Sequence, residues 1–342
     1  MAANTASRNK YPPLLFKQIP AILSLIVATL CCAGAQGASP GMAQAWPTKP
    51  VRVLVPFGAG GTPDLLARIL AEKLATYNGQ AFVIDNRPGA GGSIGAGIVA
   101  HANPDGYHLL MTPGSVLTMS PSLYAQMPFD DASFAPVSLV AEMATLLIVN
   151  PRNPAKNISE FISAARRDPG KLLFSSPGAG SSLHLAIELF NRTAGVAIQH
   201  IPYKSGGEAV TAVLSGQTTG TFANPPLVIP HIKAGTLRAL GVAGSARLPQ
   251  LPDVPATSEA GVAGFDMTAW FGLVAPSKTP RPLVGQLSAQ IASALREPDV
   301  QQRLAELGVR VIGSNPDEFA DYLRKERAKW SDIIRTANIR ID

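Results

Sequence analysis

Two hydrophobic periods take turns along this chain. Short, nearly continuous apolar runs such as Val51–Val55 read as buried strands. Between them, stretches such as Leu65, Leu66, Ile69, Leu70 and Leu74 put apolar residues on one side of a helix. Further strands are predicted at Phe82–Asp85, His108–Met111, Leu146–Val149, Leu172–Ser175, Ile198–Pro202, Thr219–Ala223, Leu237–Val242, Trp270–Ala275 and Val309–Ile312. Helices are predicted through Ile98 and Val99, over Ser159–Arg167, around Leu183–Phe190, over Glu208–Ser215, and in three closing segments, Pro282–Glu297, Asp299–Leu307 and Pro316–Ala337. The residues from Thr112 to Phe134 read as loop, and Leu248–Gly264 as a proline-rich link. Such alternation predicts an α/β fold with largely parallel sheets. Leu146–Val149 and Trp270–Ala275 read as two crossings between lobes made of residues 46–147 with 270–342, and of residues 148–269.

Strand after strand ends in a turn of glycine, serine or proline. The first is Pro56–Phe57–Gly58–Ala59–Gly60–Gly61, with Thr62 as the predicted N-cap and Pro63 as the first helical residue. Asn86–Gly95, Thr112–Ser115, Ser176–Ser181, Tyr203–Gly207 and Asn224–Pro226 follow the same plan. Free N–H groups and the positive ends of helix dipoles then lie beyond the strands, where open α/β sheets bind ligands. The spacing excludes nucleotides. A P-loop needs Lys directly after its last glycine, but the next lysine is Lys73. The dinucleotide fingerprint fails at Pro63 when started from Gly58, and at Ile94 when started from Gly89.

Composition narrows the class. The 342 residues are 46% hydrophobic and 15% charged, with mean hydropathy +0.16, ample for two packed lobes. The formal charge of +6 includes Arg8, Lys10 and Lys17, and removing those three leaves +3. Without a basic run interleaved with aromatics, no nucleic-acid partner is expected. Residues 1–45 have the order of an export signal: a basic segment, the apolar stretch Ala21–Cys32, and Ala43–Gln44–Ala45 before Trp46. Both cysteines, Cys31 and Cys32, fall inside it, so the mature chain is expected to carry no thiol or disulfide, and Leu30 before Cys31 argues against a lipid anchor.

Taken together, these blocks resemble one family, the periplasmic receptors of tripartite tricarboxylate transport systems, or Bug proteins. The matching blocks are Trp46–Pro50, Pro56–Gly61 with Asp64 and Arg68, Asn86–Gly92, Phe134–Leu139, Ser176–Ser181 with His184 and Glu188–Phe190, Pro202–Lys204, Pro230–Gly235 and Trp270–Leu273. The resemblance implies a two-lobed type II periplasmic-binding fold with an interdomain cleft. It also implies a small organic carboxylate as ligand, no cofactor, delivery to the membrane components of a tripartite transporter, and a periplasmic location. Carried over by position, the site comprises Phe57, Ala59, Gly60, Thr62 and Asp64 on one loop and Ser176, Pro177, Gly178, Gly180 and Ser181 on the facing loop. Thr112, Gly114, Ser115, Tyr203 and Asn224 complete it. One departure stands out: Ala223 occupies a place where the family commonly has aspartate, which weakens the case for an amine-bearing ligand.

Single residues have plainer roles too. Asp64 favours its helix dipole whether or not it meets ligand. His184, three residues after Ser181, lacks the elbow motif of a hydrolase and reads as a packing or capping residue. Lys204 reads as solvated beside Tyr203. His101, His108, His184, His200 and His231 never fall at metal-ligand spacing, so no metal is expected. The expected protein is a monomeric receptor rather than an enzyme. An exported carboxylate-processing enzyme and a ligand-sensing partner of a signalling protein are the alternatives.

Overall fold

Val51–Val55 forms β1, and its two parallel neighbours, β2 (Phe82–Asn86) and β3 (His108–Pro113), explain why all but Arg52 are buried. The computed structural model describes residues 46–262, 264–336 and 338–339, so the predicted export segment lies outside the described residues. β1 runs through the glycine turn into α1 (Thr62–Asn78). Its N-cap is Gly61 rather than Thr62, which places Thr62 and Pro63 at the first two helical positions. A 3-10 turn at Ala90–Gly92 and α2 (Ser93–Ala100) follow β2. The segment after β3, read as loop, contains two short helices, α3 (Gly114–Thr118) and α4 (Ser120–Leu123).

The largest difference from the sequence reading is β4. It is one strand of 16 residues, Phe134–Val149, rather than a short run beginning at Leu146. Pro136 and Glu142 speak against a strand, and its near-complete burial removes the polar alternation that marks one. The structure accommodates Pro136 at a register shift, with a second shift between Leu139 and Ala141. From Phe134 to Ala144, β4 pairs with β9 (Thr268–Pro276), and β10 (Arg310–Val311) pairs beside Glu142. From Thr145 to Val149 it pairs with β7 (Gly220–Ala223) and β8 (Arg238–Ala243). β4 thus belongs to both sheets.

The second sheet is completed by the parallel strands β5 (Leu173–Ser176) and β6 (Gln199–Pro202). Its helices are α5 (Ile158–Arg167), α6 (Ser182–Ala194), α7 (Gly206–Ser215) and α8 (Pro225–Lys233). Here α7 begins two residues before its predicted start, and α8 is additional. Three prolines hide α8, although Pro225 and Pro226 stand at its first positions, where a missing N–H costs nothing. Phe161, Phe174, Phe190, Phe222 and Phe265 fill the core of this lobe, with ring centroids 5.3–6.5 Å apart.

The chain closes with α9 (Arg281–Arg296), α10 (Pro298–Glu306) and α11 (Pro316–Thr336). Phe319 and Leu323 of α11 pack with Leu54, Trp270 and Val274 of the first lobe. Two turns further on, Trp330 and Ile334 join the phenylalanine core of the second. Between them, Glu326 Oε2 accepts from both indoles, Trp270 Nε1 at 3.2 Å and Trp330 Nε1 at 3.0 Å. One helix therefore braces both lobes.

Candidate functional site

The first turns of four helices converge where the lobes face each other. Gly61, Thr62 and Pro63 of α1, Ser181, Ser182 and Leu183 of α6, Gly206 of α7, and Asn224 before α8 all border one cavity of about 30 Å³. Helical geometry leaves the first N–H groups of each helix without an intrahelical acceptor. α6 and α7 use their caps for one of these: Ser181 Oγ accepts from His184 N at 3.2 Å, and Ser205 Oγ from Glu208 N at 3.1 Å. α1 has no side-chain cap. α8 begins with two prolines, so its first two positions offer no N–H, and the polar group that borders the cavity there is the Asn224 amide. Phe57, Pro113, Pro177, Leu227 and Phe271 form the rest of the wall, and no charged side chain borders the cavity. Dipoles of one sign in an apolar, charge-free setting suit an anion held by neutral donors.

Asn224 is the most telling of these residues. It is 6% exposed, its Nδ2 donates to Thr62 Oγ1 at 3.2 Å, and its Oδ1 is buried without a hydrogen-bond partner. With the amide turned over, Thr62 would donate to Oδ1 and Nδ2 would be free to donate to a bound anion.

An outer chamber of about 320 Å³ lies beyond Phe57 and Pro177, which border both spaces. Gly178, Tyr203 and Lys204 face Pro88–Gly92 across it. Backbone contacts close the lobes around the two spaces. Gly58 N donates to Lys204 O at 2.8 Å, and a Cβ on Gly207 would meet Gly60 O at 2.7 Å. At the rim, Tyr124 Oη donates to Ala179 O at 3.1 Å.

The expected residues thus divide. Phe57, Thr62, Pro177, Ser181 and Asn224 border the inner cavity, while Gly178 and Tyr203 border the outer chamber. Ala59 and Gly60 are exposed on a separate groove with Tyr203. Asp64, Thr112, Gly114, Ser115, Ser176 and Gly180 do not border the cavity or the chamber. The Asp64 carboxylate is occupied within its own loop. It accepts from Arg68 Nε and Nη2, both at 3.0 Å, and from Gly60 N and Asn86 Nδ2, both at 3.1 Å. Burial pushes its pKa up, but the bonds from Arg68, Gly60 and Asn86 outweigh that and hold it below the usual carboxylate range. Thr112 donates to Pro113 O, Gly114 packs so closely against the Trp270 indole that a Cβ would not fit, and Ser115 Oγ is buried without a partner. Ser176 and Gly180 belong to the turn but are held on its inner side, by His200 at the Ser176 hydroxyl and by His184 at Gly180 N.

Four wall residues lie outside the predicted glycine-, serine- and proline-rich turns: Ser182, Leu183, Leu227 and Phe271. Leu183, Leu227 and Phe271 look like core in sequence, Phe271 alone falls inside a matching block, Trp270–Leu273, and Pro113 stands in the predicted turn Thr112–Ser115. Among the described residues no three His, Cys, Asp or Glu side chains gather as a metal site, and no helix is long and apolar enough to cross a membrane.

Known proteins match along the same span. The profile of the family described as "Tripartite tricarboxylate transporter family receptor" matches residues 66–339. A Pseudomonas protein, the UPF0065 protein in the tcbD-tcbE intergenic region, is 38% identical over 292 residues, 85% of this chain and 87% of the relative. Among solved structures, Rpa4515 of R. palustris with adipate superposes with a TM-score of 0.83 at 35% identity, over 86% of this chain and 99% of that one. MatC of Rhodopseudomonas palustris with bound malate gives 0.82 at 34% identity, over 84% and 100%. In architecture the structure agrees with these periplasmic binding proteins, two α/β lobes around a cleft, the type II fold. With its family profile, its relatives and its fold in agreement, the chain belongs to the tripartite tricarboxylate transporter receptor family, the Bug proteins.

Proposed function

We propose that this protein captures a small organic carboxylate in the periplasm and delivers it to the membrane components of a tripartite transporter, acting as a monomer. The observation that carries the reading is the convergence of four helix N-termini on a cavity with no charged side chain. A carboxylate there accepts from the first-turn amides of α1, α6 and α7 and from the Asn224 amide, with no counter-ion to desolvate. Adipate and malate in two related structures are both carboxylates, which supports the same class here. Backbone amides bind and orient but carry no proton to transfer at neutral pH, which favours a receptor over an enzyme.

Closure completes the site. About 30 Å³ accommodates roughly two water molecules, so a carboxylate of several carbons enters by parting the lobes and reaches through the Phe57–Pro177 neck into the outer chamber. The test is a thermal-shift and calorimetric screen of the unfolded and refolded protein against acetate, succinate, malate, adipate, citrate and benzoate. A ligand that binds only the folded state raises the melting temperature. Saturable binding of at least one carboxylate, with no shift from the corresponding amides, is the expected result. No shift from any of the six overturns the reading.

A further inference from the structure

Beneath the second lobe's anion turn lies a side-chain network that the cavity itself does not use. The rings of His184, in the first turn of α6, and His200, on β6, stack with centroids 3.8 Å apart and planes 23° apart. Each ring grips a different part of the Ser176–Ser181 turn. His200 Nε2 lies 2.5 Å from Ser176 Oγ, and that hydroxyl also contacts Gly178 N and Gly178 O, both at 3.2 Å. His184 Nδ1 accepts from Gly180 N at 3.1 Å. Two glycines with positive φ, Gly178 at +126° and Gly180 at +78°, are thus held from below. A turn built on such residues has little intrinsic preference for one shape.

We propose that the stacked His184–His200 pair positions the Ser176–Ser181 turn, so that affinity for the anion depends on two imidazoles that never touch it. Pro177 and Ser181 of this turn border the inner cavity, and Gly178 and Ala179 the outer chamber. An anion held by backbone donors tolerates little displacement of the turn, because those donors have no side-chain torsions with which to follow it. The inference rests on the proposed anion site, yet the state of the turn can be read without ligand.

The hydrogen bonding sets the tautomer of His184. Accepting from Gly180 N–H leaves the Nδ1 of His184 unprotonated, which puts the ring proton of the neutral form on Nε2, 3.6 Å from Glu188 Oε1. Burial and the neighbouring His184 push the His200 ring down to about 3. The polar groups that meet the pair are Glu188 from α6 and the Ser176 hydroxyl from β5, while the Tyr124 phenol reaches the same turn at Ala179 O from the end of α4. Among the described residues Glu188 is the carboxylate within ion-pair range.

Two substitution pairs test this in the full chain. His184→Ala and His200→Ala remove the contacts. In His184→Asn an amide oxygen stands where Nδ1 was, and in His200→Gln an amide where Nε2 was. Amide hydrogen exchange across residues 176–183 and across 57–65 is followed by mass spectrometry. Calorimetry uses the tightest-binding member of acetate, succinate, malate, adipate, citrate and benzoate. The expected result is at least tenfold faster exchange at 176–183 in both alanine variants, unchanged exchange at 57–65, tenfold or greater loss of affinity, and recovery in the Asn and Gln variants. Wild-type exchange and affinity in the alanine variants overturn the proposal. So does faster exchange throughout the second lobe, which makes the pair ordinary core. If the turn loosens as expected but the wild type binds none of the six acids, the turn is positioned as proposed and the carboxylate reading is what fails.

Discussion

Asn224 donates to the Thr62 hydroxyl at 3.2 Å, tying the first turns of helices from opposite lobes together while its own Oδ1 is buried without a partner. A receptor that needed this amide only as a strut would have no reason to leave half of it unused. With the amide turned over, Oδ1 would accept from the Thr62 hydroxyl and Nδ2 would be left to donate to an arriving anion, which resolves a buried orphan that is costly in a finished structure.

Asn224→Asp tests that role by charge. A carboxylate at this N-cap is favourable to the α8 dipole, so melting temperature should hold or rise. Anion affinity should fall at least 100-fold, because a fixed negative charge then occupies the cavity. Calorimetry beside thermal unfolding reads both, and a drop in stability matching the loss of binding would make Asn224 structural.

Gly207 lies in the first turn of α7, where alanine is a better helix former by several tenths of a kcal/mol. Its Cβ, however, would stand 2.7 Å from Gly60 O across the cleft. Gly207→Ala is therefore expected to fold normally, to shift solution X-ray scattering toward a larger radius of gyration, and to bind more weakly. A variant as compact and as tight-binding as wild type would show that this approach does not limit closure.

Asp64→Asn should cost about 2 kcal/mol in urea unfolding, because a buried acceptor serving four donors becomes a neutral amide that can accept only at one end. The Asp64 pKa is lowered in the folded chain, so its stabilisation is full above the ordinary carboxylate value of 3.8 and is lost as pH falls below it. The asparagine variant should lose that acid-sensitive component while keeping every cavity-lining residue.

His200 sets a second acid dependence. Its folded-state pKa of about 3 is depressed from 6.5, so above pH 6.5 the ring is neutral whether the chain is folded or not. As pH falls from 6.5 toward 3, the unfolded chain takes up a proton that the folded one refuses, and stability declines. In His200→Gln the urea midpoint should fall less between pH 7 and pH 4.5 than it does in wild type. An equal fall would place the ring's titration elsewhere.

Much of the fold was legible because its signals are local. Strand β1, its glycine turn and the apolar side of α1 lie within thirty residues, and the turns at Ser176 and Ser205 carry their own caps. Where local signals conflicted with long-range packing, the reading failed: β4 is a strand despite Pro136 and Glu142 because bulges absorb them between two partners, and α8 is a helix despite three prolines. The site divides along the same line. Glycine and serine at the strand ends were visible, but whether Asp64 faces an anion or Arg68 depends on where its helix sits against β2 and its Asn86.

By itself the sequence determined the chemistry on offer: backbone donors at helix starts, little charge among the motif residues, and a repeating strand–turn–helix plan that supplies such starts at intervals. Only the tertiary structure decided that four of them meet. Thr62 and Asn224 are 162 residues apart and touch because β4 runs through both sheets and α11 braces both lobes. Periodicity and capping are written within a few residues of each helix, whereas convergence depends on strand order and on the angle between lobes, which are set by packing across the whole chain.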